Sequence, residues 1–233
     1  MKKEMLGIVT ARGGSKRIPK KSIALLNGKP LMGYVVAAMK RSKILTRIIV
    51  DTDDPEMADI GRRFGAEIPY LRPKELAEDG TGHVPVLKNA LETLKKQNGY
   101  WPDAVCLIQP TSPFVQPSHI DDALSLLIES GVDSVETVFE VPTIFHPYNM
   151  RSIDEKGFTT FVMEKERAAA AKAGKRPKMY AIGTVYAFLP KNLWDYGTIQ
   201  GKTSKSIIID KKYAVDVDES YDLLIAEALR KSI

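Results

Sequence analysis

The chain has 233 residues, and its 34 Lys and Arg against 29 Asp and Glu give a formal net charge of +5. This length suits one large α/β domain or one domain with an appendage. The mildly basic charge is scattered, apart from residues 12–21 and 172–178, so we expect no nucleic-acid partner. Apolar runs stay well below the ~18 residues of a membrane span, and no signal peptide is evident. The single Cys106 excludes an intrachain disulfide, so we expect a cytoplasmic protein.

A glycine-rich basic loop follows the first predicted strand, which covers about residues 5–10. Adjacent glycines adopt backbone angles that a Cβ forbids, and they can direct successive N–H groups into a hollow that binds anions. The loop fits neither the Walker pattern nor the dinucleotide G-x-G-x-x-G pattern. It predicts a nucleoside triphosphate site, although a turn with a solvated basic rim has the same residues. Its sequence is Ala11, Arg12, Gly13, Gly14, Ser15, Lys16, Arg17, Ile18, Pro19, Lys20 and Lys21.

Helices and strands then alternate along the chain. The spacing of apolar residues predicts helices at about 29–42, 56–64 and 83–97, a further helix ending at Gly131, and a closing helix at 220–231. Strands are predicted at 46–50, 66–71, 103–108, 133–141 and 180–188, with edge strands at 206–209 and 214–217. This alternation favours a mainly parallel sheet covered on both faces. Ligands bind such sheets beyond the carboxyl ends of the strands.

The alternation fails between about residues 142 and 178. Prolines, a turn at 154–157 and an alanine-rich stretch predict a hairpin followed by a short helix or a mobile loop. This segment suits an appendage that packs on a partner subunit. A plain solvated loop is the alternative.

Two acidic residues near the end of the chain suggest a metal site. In a strand, Asp216 and Asp218 point the same way, whereas Val215 and Val217 face the core. Two converging carboxylates suit Mg²⁺, which takes few protein ligands together with phosphate oxygens. The alternative is a strand end before a helix, where acidic residues are favoured in any case.

Other candidate residues follow predicted strands. Gln109, Thr111 and Ser112 bring an amide and two hydroxyls that suit a polyhydroxy substrate, unless they only cap a proline turn. Arg72 follows another strand and suits a base or phosphate, unless it is an exposed loop arginine. Of the three histidines, only His83 is placed to reach the mouth of the same crevice, and no zinc spacing or Ser/His/Asp set is present.

Taken in order, these motifs resemble the acylneuraminate cytidylyltransferase family, the CMP-sialic acid synthetases. The matching segments are residues 11–21, 27–31, 71–73, 107–113 and 216–218. The resemblance implies a Rossmann-like three-layer nucleotidyltransferase fold in one domain, residues 1–233. It also implies that about 142–178 form a small appendage for dimerisation and for the sugar site, in a homodimer or a dimer of dimers.

The resemblance further implies a cytidylyltransferase that joins CTP to the anomeric hydroxyl of a 2-keto sugar acid, giving a CMP-sugar and pyrophosphate. Arg12, Lys16 and Asp218 would be catalytic, and Asp216 and Asp218 would hold Mg²⁺. The implied nucleotide-binding residues are Ala11, Arg12, Gly13, Gly14, Ser15, Lys16, Lys21, Ser22, Arg72, His83 and Gln109. The implied substrate-binding residues are Gln109, Thr111, Ser112, Tyr186, Lys175 and Arg176.

Several positions depart from the family pattern. Ser22 replaces an asparagine that meets the ribose, and His83 replaces a small hydroxyl residue near the base. Ile182 replaces an asparagine that meets the sugar, and Val115 replaces an arginine. The sugar therefore stays open among sialic, legionaminic and pseudaminic acids and an unaminated analogue. Another nucleotide such as GTP, or a non-catalytic nucleotide-sugar-binding protein, stays an alternative.

Overall fold

A computed structural model describes residues 3–231, which are built around a six-stranded sheet with the order β10-β6-β9-β5-β1-β4. The strands are β1 (Met5–Ala11), β2 (Leu25–Leu26), β3 (Lys29–Pro30), β4 (Arg47–Thr52), β5 (Ala104–Ile108), β6 (Ser134–Glu140), β7 (Arg151–Ile153), β8 (Thr159–Phe161), β9 (Tyr180–Phe188) and β10 (Ser204–Ile208). The helices are α1 (Leu31–Lys40), α2 (Pro55–Arg63), α3 (His83–Asn98), α4 (Pro117–Ser130), α5 (Glu164–Lys172), α6 (Asn192–Asp195) and α7 (Ser220–Arg230).

The sheet is mostly parallel, with one exception. β1 pairs in parallel with β4 and β5, and β10 pairs in parallel with β6. β9 runs antiparallel between β5 and β6 because it returns directly from the segment that follows β6. The predicted α/β fold with a mainly parallel sheet is confirmed.

Helices cover both faces of the sheet. Met5 and Val9 of β1 lie in a core cluster with α1, α2 and α4, whereas Leu6 and Ile8 lie in a second cluster with α3. Successive side chains of a strand point to opposite faces, so one strand contributes to both clusters. The result is the three-layer arrangement predicted from the alternating pattern.

Local signals explain where the helices begin and end. The Asp54 carboxylate accepts hydrogen bonds from the backbone N–H groups of Glu56 and Met57 at 2.8 and 3.3 Å, which fixes the first turn of α2. α4 ends at Gly131, whose φ of 65° lies in the left-handed region that glycine tolerates. The predicted end of that helix is therefore confirmed.

Two predicted strands are wrong. Residues 66–71 contribute only an isolated bridge between Ile49 and Glu67, because the chain turns away towards Pro69, which has no N–H to pair. Residues 214–217 are irregular and follow a short 3₁₀ helix. Their one bond to the sheet region is from the Val217 N–H to the Thr111 carbonyl at 2.9 Å, because the chain here crosses the end of β5 and has no strand beside it.

The segment between β6 and β9 stands outside the main sheet. It contains the two-stranded β7–β8 hairpin and then α5. The predicted hairpin followed by a short helix is therefore confirmed. The guanidinium groups of Arg151 and Arg167 stack on the Phe161 ring at 3.3 and 3.9 Å from its centroid. No helix between residues 3 and 231 combines the length and apolar character needed to cross a membrane.

Candidate active site

A cleft of about 450 Å³ opens at the carboxyl ends of β1 and β5. Ligands of open α/β sheets bind at this edge. Its lining residues are Thr10, Arg12, Ser15, Lys16, Arg17, Ile18, Lys21, Ser22, Arg72, Asp79, Thr81, Gly82, His83, Val86, Gln109, Pro110, Thr111 and Asp218. The cleft therefore collects residues from the basic loop, from the start of α3, from the end of β5 and from the carboxyl-terminal acidic segment.

The basic loop is pinned by acidic side chains. The Gly13 N–H donates to Asp53 Oδ1 at 3.0 Å, which ties the loop to the connection after β4. On the cleft side, Asp79 Oδ1 lies 3.0 Å from Arg12 Nη2, and Asp79 Oδ2 contacts the Lys16 ammonium. These two cations, Lys16 foremost, hold the pKa of Asp79 below its usual range. Arg12 and Lys16 thus already bind one carboxylate, which shows that an anionic group fits between them.

Lys20 and Lys21 have different surroundings although they are adjacent. Lys20 adopts a φ of 48° and its ammonium pairs with Asp54 and Glu56, outside the cleft. The Lys21 ammonium lies 2.5 Å from Asp218 Oδ1, inside the cleft. One contact therefore joins the amino-terminal loop to the acidic segment about 200 residues later.

The acidic segment keeps an alternating pattern although it is not a strand. Val217 is fully buried beneath α7, whereas Asp216 and Asp218 on either side of it are exposed. Surrounding protein raises the pKa of Asp216 and the Asp218 carboxylate raises it further, whereas Thr111 and Lys21 act in the opposite direction. Within residues 3–231 no three His, Cys, Asp or Glu side chains gather as a metal cage.

Arg72 and His83 also line the cleft. Arg72 is not the exposed loop arginine of the alternative prediction, since only 4% of its side chain is accessible and it pairs with the buried Asp51. His83 Nδ1 lies 3.5 Å from Thr10 Oγ1. Burial lowers the pKa of His83, and the nearby Arg72 charge lowers it further. His83 is therefore a neutral imidazole at physiological pH.

The structure separates the predicted substrate-binding residues. Gln109 and Thr111 line the cleft, whereas Ser112 is buried beside it. Tyr186 lies within β9, where it stands opposite Leu107 of β5 and Glu136 of β6, and it lines a small separate pocket. Lys175 and Arg176 are exposed on the connection between α5 and β9 and do not line the cleft.

The remaining predicted nucleotide-binding residues also divide. Lys21 and Ser22 line the cleft, with Ser22 almost fully buried. Ala11 packs into the core, and Gly13 and Gly14 shape the loop without lining the cleft. Asp79 and Thr10 were not among the predicted site residues. Asp79 lies shortly after the 71–73 segment, and nothing in the sequence around this acid indicates that it pairs with the cations of the basic loop.

Comparison with known proteins identifies the family. A family model described as "Cytidylyltransferase" matches residues 6–154. The chain is 28% identical to the CMP-N,N'-diacetyllegionaminic acid synthase of Legionella pneumophila, over 97% of this chain and 95% of that protein. It is also 28% identical to a pseudaminic acid cytidylyltransferase of Campylobacter jejuni, over 97% and 96%. The N-acylneuraminate cytidylyltransferase A of Danio rerio is 28% identical over 94% of this chain, which spans 49% of that protein.

Solved structures share the fold. The structure of CMP:2-keto-3-deoxy-manno-octonic acid synthetase complexed with CTP superposes with a TM-score of 0.73 at 15% identity, over 98% of this chain and 99% of that one. A 4-diphosphocytidyl-2C-methyl-D-erythritol synthase from Anaerococcus prevotii gives 0.64 at 16%, over 98% and 96%. The family match over residues 6–154 and the near full-length relatives establish the predicted resemblance: the chain is a nucleotidyltransferase that belongs to the cytidylyltransferase family.

Proposed function

We propose that the protein joins CTP to the anomeric hydroxyl of a sialic-acid-like 2-keto sugar acid, giving a CMP-sugar and pyrophosphate. The observation that carries the proposal is the contact between Lys21 and Asp218 across the cleft. It joins the basic loop to the acidic segment, and both contribute residues to the lining of one cavity. Named relatives that act on legionaminic, pseudaminic and N-acylneuraminic acids support the sugar class.

The cations of the loop have a direct role in this reaction. Attack on an α-phosphorus is opposed by its anionic oxygens, and negative charge shifts onto the leaving pyrophosphate. Arg12 and Lys16, which already bind the Asp79 carboxylate, would neutralise that charge. Fixed donors in a cleft also orient the nucleotide, so that positioning contributes much of the rate.

Other residues bind the two substrates in this proposal. Ser22, His83 and Arg72 line the part of the cleft where the nucleoside would lie, and Gln109 and Thr111 stand between nucleotide and sugar. Asp218 would accept a hydrogen bond from the attacking hydroxyl and remove its proton. The neutral imidazole of His83 can donate to or accept from a base edge, so it does not by itself restrict the base to cytosine.

We also propose Mg²⁺ as the cofactor, with Asp216 and Asp218 as its protein ligands. Two hard oxygen donors stand on either side of the buried Val217, and burial first and the Asp218 charge second raise the pKa of Asp216. A divalent cation relieves that repulsion and prefers few protein ligands. When bound, Mg²⁺ would supply neutralising charge to the phosphate oxygens.

The appendage at residues 142–178 is proposed to form a homodimer and to complete the sugar site. Its exposed apolar side chains are Ile144, Phe145, Met150, Ile153, Phe158 and Val162. A monomer rarely exposes so many large apolar groups in one segment. In this arrangement Lys175 and Arg176 would bring positive charge to the partner's substrate carboxylate, which explains their distance from their own cleft.

The cellular setting is proposed to be the cytoplasm. Cys106 is fully buried in β5, where burial raises the pKa of its thiol and keeps it unreactive. A chain with one such thiol has no need of an oxidising compartment. We propose no nucleic-acid partner, because the basic loop at residues 12–21 contains no aromatic side chains for base stacking.

The test measures pyrophosphate release from each of the four nucleoside triphosphates, with Mg²⁺ and neuraminic, legionaminic, pseudaminic or 3-deoxy-octulosonic acid. We expect release with CTP and one of the nine-carbon acids, and a CMP-sugar by mass spectrometry. Asp218→Asn should abolish release, whereas Asp195→Asn, an exposed aspartate on α6, should not. Release with GTP but not CTP, or none with any pair, would contradict the proposal.

Dimerisation has its own measurement. Phe158 is 69% exposed at the hairpin, so Phe158→Ser should leave the fold intact while weakening association. Light scattering should give a mass of twice 25.9 kDa for the unaltered chain. A monomer at micromolar concentration would refute the proposed role of the appendage.

A further inference from the structure

A buried ion pair lies directly behind the cleft, at the end of β4. The Asp51 side chain is inaccessible, and the Arg72 side chain is 4% accessible. Arg72 Nε donates to Asp51 Oδ1, and Arg72 Nη2 donates to the Asp51 backbone carbonyl at 2.9 Å. The Tyr70 hydroxyl donates to the other carboxylate oxygen, and the Arg72 backbone N–H donates to the Thr52 carbonyl at 2.8 Å.

These contacts use only part of the guanidinium. A guanidinium has five N–H donors in a fixed planar fork, so binding through Nε and one Nη2 hydrogen sets the direction of the others. Within residues 3–231, Arg72 Nη1 has no hydrogen-bond partner from the protein, and Arg72 lines the cleft beside His83 and Gln109. The pair therefore leaves N–H donors unused on a guanidinium that is held at a fixed angle and belongs to a residue lining the cavity.

The pair is also hard to explain by stability alone. Taking both charges out of water costs several kcal/mol per ion, and replacing such pairs by apolar residues is often neutral or stabilising. Asp51 bears the larger part of this cost, because burial raises its pKa even against the Arg72 charge. An arginine side chain that is ordered in advance, by contrast, loses little rotamer entropy when a ligand binds.

We propose that Asp51 is a positioning residue, supported by Tyr70, that holds the Arg72 guanidinium ready to bind the nucleotide. The proposal rests on the proposed function only in taking CTP as that nucleotide. Asp51 itself does not line the cleft, so its effect must pass through Arg72. Tyr70 is partly buried on the segment before α3, and it acts on Arg72 indirectly by holding the Asp51 carboxylate.

Calorimetric titration of CTP tests this without the sugar acid. We expect Asp51→Asn to weaken CTP binding by roughly ten-fold, because the charge that fixes the fork is lost, and Tyr70→Phe to weaken it by about two- to three-fold. Stoichiometry should stay at one site per chain in both variants. A merely structural defect would lower the stoichiometry through unfolded protein and leave the dissociation constant unchanged.

Two further variants sharpen the test. Asp133→Asn removes a similarly sheltered carboxylate that binds Lys191 and the Thr203 backbone away from the cleft, so it should lower the melting temperature without changing CTP binding. In an Arg72→Gln background, Asp51→Asn should change CTP binding by less than about two-fold, since the two residues act as one unit.

The outcomes are distinct. Weaker binding at full stoichiometry that vanishes in the Arg72→Gln background supports the positioning role. Unchanged binding in both Asp51→Asn and Tyr70→Phe, or an undiminished effect in that background, overturns it. If Asp51→Asn does not fold, Tyr70→Phe decides by the same criterion. If the unaltered chain binds no CTP, the proposed function itself fails and the positioning role fails with it.

Discussion

Thr137 offers a sharp test of how the antiparallel strand is joined to the sheet. It is fully buried in β6, where the pairing with β9 shifts between Glu136 and Val138. Its hydroxyl oxygen accepts hydrogen bonds from the N–H groups of Thr184 and Val185 at 2.8 and 3.0 Å. The side chain therefore replaces the backbone carbonyl that an unbroken ladder would supply to β9.

Thr137→Val keeps the shape of the side chain and removes the acceptor of both N–H groups. A buried donor left without a partner costs about 1–3 kcal/mol, so two donors set the expected loss at about 2–4 kcal/mol once relaxation is included. Thr137→Ser is the matched control, because it retains the hydroxyl and loses one methyl group, for about 1 kcal/mol. We therefore expect the larger loss of stability for Thr137→Val, although valine matches the shape of threonine better than serine does.

Urea denaturation followed by circular dichroism measures both changes as shifts of the midpoint at constant slope. Gly183 limits the ways in which β9 can adjust, since a Cβ there would lie 2.6 Å from the Thr137 hydroxyl oxygen. A Thr137→Val protein as stable as the unaltered chain, or a serine variant as unstable as the valine one, would refute this account of the bulge.

Three further predictions concern the site and the core. Lys16 is 80% exposed, so Lys16→Gln should reduce turnover about 100-fold or more without lowering the melting temperature, while Lys43→Gln at the opposite end of the strands should leave turnover unchanged. Because burial raises the pKa of Asp216, its carboxylate is neutralised at a higher pH than an ordinary aspartate. The half-saturating Mg²⁺ concentration should therefore rise as pH falls through that pKa, and EDTA should stop pyrophosphate release; a Mg²⁺ requirement that stays constant on acidification until the protein unfolds would contradict this. Gly33→Ala places a Cβ 2.7 Å from the Phe64 ring, so thermal unfolding should show a loss of about 1–3 kcal/mol despite the better helix propensity of alanine.

The central strands could be predicted because their burial leaves a plain signal. β1 and β5 are parallel, buried and almost wholly apolar, and the apolar residues 48–50 mark the neighbouring β4. Residues 66–71 and 214–217 carry similar apolar side chains, but one bridge or one backbone bond is all that each makes with the sheet region. Strand propensity cannot reveal whether a neighbour is present to pair with.

The candidate site divides along the same line. Arg12, Lys16 and Gln109 could be placed together because each follows a strand, and the carboxyl ends of parallel strands share one edge. Arg72 lines the same cleft although the strand predicted before it, at residues 66–71, is absent. The acidic residues that pair with these side chains could not be predicted. Asp79 reaches two cations of a distant loop, and no fixed spacing marks such a pairing.

The acidic partners change how ligand binding must be understood. Asp79 contacts both Arg12 and Lys16, and Asp218 contacts Lys21, so two carboxylates offset part of the charge of these three cations before any nucleotide enters. In the proposed function, a triphosphate that binds Arg12 and Lys16 competes with Asp79 for them, which makes binding an exchange of one anion for another. Displacement of the Asp218 contact with Lys21 would free a carboxylate in the same event. In the proposed function, this pairing links arrival of the nucleotide to release of the Asp218 carboxylate from Lys21.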